Sequence, residues 1–495
     1  MKVGGAVAAG HQLTAEAATE VLIDGGNAFD AIVAGLLVAS VVEPVLCSLG
    51  GGGFLMARPA GRRVDLVDFF ADAPLNKRNP DEVEFVDVSA DFGTATQSFK
   101  IGKGSIATPG MIPGLFFIQE HLGSLPMRRL IEPAVAIAKN GHRVTKYQAE
   151  LAAIVKPILT FSAEARKQFS PSGDLIKQGD IYKNPALGET FEALAEDGVR
   201  FAVDGPLGQA ILDGQDSEGF LTVEDLRRYE VRHRPPLKTS FAGAMLALNP
   251  APSMGGALIS NMLARMQHDT IDPLRIAEAM ELTDRQWHLD PQDYEGLCAA
   301  ALPRETLINK TVQRGTTHIS VIDSEGNAAS TTVSNGEGNG EILPEFGFMP
   351  NNMLGEEDVN PKGFHSWVPG HRLSSMMVPT LVRKDDGTII ALGSGGSNRI
   401  RTAIFQVLLR LLAEGSHVTD AVCAPRLHVE KAFLDYENGY NEGEVAKLVD
   451  AFPEHHRYWE KPSMYFGGVH AVSRNEKGGF DGAGDTRRAG VYLTA

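Results

Sequence analysis

The chain has 495 residues, 43% of them hydrophobic and 22% charged, and a formal net charge of −16. That acidic balance argues against a nucleic acid or an anionic membrane as partner, and the hydrophobic content suits one large buried core. Length alone would allow several domains of about 150 residues each, but no linker, low-complexity run or internal repeat divides the chain.

Met1 to Gly5 leads almost directly into a helical pattern, with no secretory signal. The expectation is a cytoplasmic protein, with export left open if a leader has been trimmed. Helical periodicity runs through residues 14–42. Within it, the apolar run Ala31 to Val42 is too short to span a bilayer, which takes about 20 residues, and reads as a buried helix. Strand-like stretches at 53–58 and 63–69 follow the glycine run Gly50 to Gly53. Helical patterns return at 127–140, 146–156, 186–197 and 274–287. Residues 317–323 and 328–334 are β-branched, and a turn at Ser324-Glu325-Gly326-Asn327 separates them, so they read as a hairpin. Strands at 377–384 and 388–393, a helix at 400–413 and a strand at 468–474 complete the pattern. The alternation is irregular, and on its own it selects nothing beyond a mixed α and β fold.

Several chemistries find no support. Cys47, Cys298 and Cys423 form no Cys-x-x-Cys pair, and Cys47 reads as a buried core thiol. His455-His456 lies in a polar stretch and reads as solvated. There is no His-Glu-x-x-His, so no metal and no cofactor are expected. Gly50 to Gly53 lacks the Lys-Ser/Thr of a phosphate loop, and no Gly-x-Ser-x-Gly elbow exists. Gly395-Gly396 precedes a helical pattern, but the fuller Gly-x-Gly-x-x-Gly of a dinucleotide site is missing.

Gly315-Thr316-Thr317-His318 carries the chemistry. Side chains 316, 318 and 320 share one strand face. A threonine freed as an N-terminal residue holds nucleophile and base together, because its own α-amine can take the hydroxyl proton. The run Thr316-Thr317-His318-Ile319-Ser320-Val321 resembles the start of the small subunit of γ-glutamyltranspeptidases, a family of N-terminal-nucleophile hydrolases. Further segments along the chain agree: Gly25-Gly26-Asn27-Ala28, Leu49 to Phe54, Thr108-Pro109-Gly110, Pro252-Ser253-Met254-Gly255-Gly256, Leu373-Ser374-Ser375-Met376, Gly393 to Ser397, Ala424-Pro425-Arg426 and Gly484-Asp485-Thr486-Arg487.

The resemblance implies an α+β fold, a four-layer αββα sandwich. It implies a precursor that cuts itself between Gly315 and Thr316 into pieces 1–315 and 316–495, which stay together; further dimerisation of the pair is left open. Thr316 would be the nucleophile, Ser334 the second hydroxyl that hydrogen-bonds it, and Gly395 and Gly396 the oxyanion donors. Ser374, Ser375 and Asn352 would touch a small-molecule amide or peptide substrate.

Departures from the family pattern fall in its glutamate-reading pocket. Phe70 stands where an Arg grips the substrate α-carboxylate, and a Phe cannot bind a carboxylate. The stretch that holds the substrate amine becomes Asn351-Asn352-Met353-Leu354-Gly355-Glu356-Glu357-Asp358, where Glu356 or Glu357 supplies the acid. Gly336 replaces an Asn. Three readings follow. The first is an amide hydrolase or acyltransferase with altered acyl specificity. The second is a true γ-glutamyl transferase or glutathione hydrolase with another carboxylate contact, for which Arg372 is the candidate unless it is only a surface arginine. The third is a silent small-molecule binder, which the retained Thr316, Ser334 and glycine pair disfavour.

Overall fold

The computed structural model describes residues 4–91, 96–267, 271–289 and 315–495. Cys298 lies outside these residues.

Two antiparallel sheets stack face to face. The first has seven strands in the order Val491–Thr494, Gly5–Ala9, Thr317–Asp323, Ala328–Ser334, Gly52–Arg58, Asp65–Phe69 and Arg232–Arg234. The second has six, in the order Phe480–Gly484, Gly468–Arg474, Ile389–Gly395, Thr380–Lys384, Ala244–Leu248 and Leu237–Phe241. The hairpin 317–323/328–334 stands as the sequence predicts, with Thr317 opposite Val333 and Ile322 opposite Ala328.

The period-2 alternation of strands sorts side chains between two cores. Val7, Ala9, Leu55, Ala57, Ile319 and Val321 pack on one side, with helices Gln12–Ile23 and Ala28–Val42. Ala6, Ala8, Phe54, Met56 and Ile322 point the other way, into the core shared with the second sheet and with helices Gly255–Arg265, Pro273–Leu289 and Arg399–Leu412. The result is helices, sheet, sheet, helices, the expected αββα sandwich.

The periodicity over 14–42 is interrupted once. Asn27 accepts from the Phe29 and Asp30 N–H groups while Asp30 accepts from the Asn27 N–H, a reciprocal cap that starts a new helix at Ala28. Among the described residues no helix is long and apolar enough to cross a membrane.

Candidate active site

Thr316 immediately precedes strand Thr317–Asp323, and its face of that strand looks into the gap between the sheets. His318, on the same face, exchanges hydrogen bonds at 2.8 Å with Thr332 Oγ1 through Nδ1 and with Ser320 Oγ through Nε2. Burial, and then the neighbouring His470, push the His318 pKa well below its usual value. A Cβ on Gly393 of the second sheet would lie 2.3 Å from the His318 ring, so the sheets approach here only because that residue is glycine. On the opposite face Thr317 Oγ1 donates to Glu43 Oε1 at 3.0 Å. Burial raises the Glu43 pKa to about 7, against the opposing hydrogen bonds from Thr317 and Thr14.

The Gly315–Thr316 bond is held from three sides. Ser334 Oγ donates to the Gly315 carbonyl at 2.6 Å and accepts from the Gly336 N–H at 3.0 Å. The Gly315 N–H donates to Glu337 Oε1 at 2.8 Å. A Cβ at position 315 would sit 2.3 Å from the Gly336 carbonyl oxygen, which explains a glycine before the threonine. The Thr316 carbonyl accepts from Arg488 Nη1 at 3.4 Å, and a Cβ on Gly395 would meet that same oxygen at 2.1 Å. Thus the Ser334 hydroxyl, expected to bond the nucleophile, polarises the carbonyl of the bond that precedes it. The glycine run has a similar local cause: a Cβ on Gly51 would meet the Ser334 carbonyl oxygen at 2.3 Å.

Thr316 and Ser334 open onto a pocket walled by Phe70, Met353, Val359, Met376, Met377 and Ile400. Its polar lining is Glu356, Asp358, Ser375 and Ser397, and among the described residues neither Lys nor Arg is part of it. Phe70 is buried and stacks on Phe54 with ring centroids 5.3 Å apart. Ser397 donates to Asp358 Oδ2 at 2.7 Å. Gly336, at φ +65°, leaves room for acid: a Cβ there would lie 2.2 Å from Glu356 Oε1 and 2.0 Å from Asn352 Oδ1.

Other expected residues sit differently. Asn352 does not line the pocket; its Oδ1 accepts from the Glu337 and Gly338 N–H groups and so shapes the loop beside the Gly315–Thr316 bond. Glu357 is exposed, whereas its neighbours Glu356 and Asp358 face the pocket. Ser375 lines the pocket, but Ser374 donates instead to the Pro252 carbonyl at 3.0 Å. Gly395 ends its strand and Gly396 turns at φ +126°, which delivers Ser397 to the pocket wall.

Arg372 is neither a surface residue nor a pocket residue. Its guanidinium is buried and donates to Asp72 at 2.7 Å, to Asp68 at 2.6 Å and to the Glu230 carbonyl at 2.8 Å. Arg399 also lies off the pocket wall, packed over the Tyr465 ring at 4.6 Å. Cys47 is a buried thiol beside Ser40, with its pKa pushed up to about 12 by burial, which leaves it inert as a nucleophile. His455 and His456 are half-buried rather than solvated, because His456 is drawn into strand His456–Trp459. Among the described residues no group of three or more His, Cys, Asp and Glu side chains could hold a metal ion.

Sequence reasoning missed Asp358 and Ser397 as pocket residues, and Glu43 and Glu337 as partners of the segment around the Gly315–Thr316 bond. Asp358 stood in the quoted acidic stretch and Ser397 at the end of the quoted segment Gly393 to Ser397; nothing local marks Glu43 and Glu337.

Comparison with known proteins agrees with this geometry. The family model described as Gamma-glutamyltranspeptidase matches residues 14–295 and 288–495. The chain belongs to the gamma-glutamyltranspeptidase family. It is 28% identical to the glutathione hydrolase proenzyme of Bacillus subtilis (strain 168), over 99% of this chain and 91% of that protein. It is 26% identical to the Acylase ACY 1 proenzyme of Pseudomonas sp. (strain V22), over 98% and 93%. Among solved structures, a cephalosporin acylase from Bacillus halodurans superposes with a TM-score of 0.86 at 21% identity, covering 99% of this chain and 96% of that one, and so shares its fold. This member of the gamma-glutamyltranspeptidase family is therefore an enzyme of the amide hydrolase and acyltransferase class, built on the N-terminal-nucleophile fold.

Proposed function

We propose that the chain cuts itself between Gly315 and Thr316 and then acts as an amide hydrolase on acyl groups that lack the glutamate α-carboxylate. The two pieces, 1–315 and 316–495, remain one folded unit, because strand Gly5–Ala9 of the first pairs with strand Thr317–Asp323 of the second. In the precursor the Thr316 hydroxyl attacks the Gly315 carbonyl, which the Ser334 hydroxyl polarises at 2.6 Å. An N-to-O acyl shift and hydrolysis of the resulting ester free the Thr316 α-amine.

That amine then accepts the hydroxyl proton as Thr316 attacks a substrate amide. Unperturbed α-amines titrate at about 7.7–8.0, within reach of a base role near neutral pH. The turn Gly395-Gly396-Ser397 supplies backbone N–H donors for the oxyanion, and Ser334 remains beside the nucleophile. The acyl-enzyme is released to water or to an amine.

The observation that supports the acyl assignment is the pocket lining. An ionised carboxylate entering it would meet Phe70, methionines and two acidic side chains, and among the described residues no Lys or Arg lines the wall to pair with it; burial of an unpaired charge is costly. An apolar acyl chain, or one ending in an amine near Glu356 and Asp358, suits it better. The reading of a γ-glutamyl enzyme served by Arg372 loses support, since that guanidinium is committed to Asp68 and Asp72. The names of the relatives span both glutathione hydrolase and acylase. A cytoplasmic location belongs to the same proposal; the described cysteines, Cys47 and Cys423, are free thiols, as suits a reducing compartment.

A panel of chromogenic anilides differing only in the acyl group tests the proposal. Plain and amine-bearing acyl anilides are expected to show the higher kcat/KM. A preference for the γ-glutamyl anilide would overturn it.

A further inference from the structure

A second groove lies at the far end of the sandwich. It encloses about 680 Å3 and is rimmed by Arg58, Arg62, Arg63, Lys238, Arg383 and Lys384, with Asp385 the one acid on its wall among the described residues. Its floor is apolar, made by Val64, Met245 and Val382 among others. Arg58 lies at the end of strand Gly52–Arg58 opposite Ala328, six residues along the neighbouring strand from Ser334. At roughly 3.3 Å per residue the groove is therefore roughly 20 Å from the nucleophile.

The charge arrangement is unusual for this chain. Net charge is −16, yet six cations converge here. Among the described residues Lys384 has a carboxylate partner, Asp386 at 3.5 Å, whereas Arg58 donates only to the Gly326 carbonyl and Arg62, Arg63, Lys238 and Arg383 form no ion pair. The crowding is felt: burial, and then the charges of Arg383 and Arg474, lower the Arg58 pKa. Holding like charges together around an apolar floor is unfavourable unless an anion sits among them. A small ligand fits better than a long polyanion, since the rest of an acidic surface repels the latter, and the volume falls within the roughly 300–1,000 Å3 of small-molecule sites.

We propose that this groove binds a compact organic polyanion with an apolar body, of nucleoside di- or triphosphate chemistry. The arginine forks take the phosphate oxygens, a bidentate match, and the floor takes the flat apolar part. The reaction pocket is separate, so occupancy would act through the two sheets or serve localisation, not acyl transfer.

Titration calorimetry of the full-length protein with ATP and with inorganic pyrophosphate, at low and at physiological ionic strength, tests this. ATP is expected to bind, more weakly as salt rises, and more tightly than pyrophosphate. The double variant Arg63→Glu/Arg383→Glu, at two exposed positions, should weaken ATP binding at least tenfold while circular dichroism and the ligand-free amidase rate stay unchanged. No ATP binding at low salt, or equal affinity in the double variant, would overturn the proposal. Pyrophosphate binding as tightly as ATP would refute the role of the apolar floor. A dimer that the double variant dissolves, without ATP binding, would assign the groove to the acidic surface of a second copy instead.

Discussion

Ser334→Ala removes the hydroxyl that donates to the Gly315 carbonyl. At 2.6 Å this bond is short, and it strengthens as negative charge grows on that oxygen during attack by Thr316. Loss of one such donor typically costs about 10²–10³ in rate, or roughly 2.7–4 kcal/mol of barrier. The same substitution strips the buried Gly336 N–H of its acceptor, a loss of roughly 1–3 kcal/mol in stability. The variant should therefore fold with a lowered melting temperature and accumulate as full-length chain, its cleavage slowed by at least two orders of magnitude. Ser334→Thr keeps the hydroxyl and should recover most of the rate. Denaturing electrophoresis with intact mass, sampled over time after purification, reads both variants. Cleavage of Ser334→Ala at the wild-type rate would refute the assignment of Ser334 to the scissile carbonyl.

Thr316→Ala should give a folded, uncut chain without amidase activity, and Thr316→Ser should process more slowly, because its hydroxyl is retained; unchanged turnover in Thr316→Ala would place the nucleophile elsewhere. Phe70→Arg should introduce a carboxylate contact worth roughly 1.5–3 kcal/mol and raise kcat/KM for γ-glutamyl anilides by about one to two orders of magnitude; a folded variant with no gain would remove Phe70 from the acyl site. Glu43→Gln tests the buried carboxyl behind Thr317. The folded pKa of Glu43, about 7, lies above its usual 4.5, so its contribution is full below pH 4.5 and is lost as pH rises through 7. The stability of the wild type relative to Glu43→Gln should fall across that window by up to about 3 kcal/mol, and parallel stability curves from denaturant titrations would contradict the burial argument.

The parts of the site that were legible in the sequence are those set by local pattern. Alternation around the Gly326 turn yields the hairpin, and the two-residue period places Thr316, His318 and Ser320 on one face. Helix content at 274–287 and 400–413 follows from periodicity alone; the structure extends the first to Pro273–Leu289 and shifts the second by one residue to Arg399–Leu412. What stayed hidden depends on contacts between distant segments. Arg372 looks like a surface arginine until strand Asp65–Phe69 brings Asp68 beneath it, 304 residues away in sequence. Glu43 follows an apolar helix as an ordinary acid would, and it is buried by contacts from separate segments, the strand that carries Thr317 and the helix that carries Thr14. Ser397 enters the pocket through a turn whose φ of +56° a serine side chain does not announce. In the acidic stretch 356–358, a change of one residue in register decides which side chains face Thr316, and backbone geometry, not composition, selects Glu356 and Asp358.

The central claim is that Thr316 becomes an N-terminal residue. Intact mass and N-terminal sequencing of the purified wild-type protein test it most directly. Two pieces that comigrate under native conditions, residues 1–315 and a second beginning at Thr316, are predicted. A single full-length chain that hydrolyses amides after prolonged incubation would contradict the account.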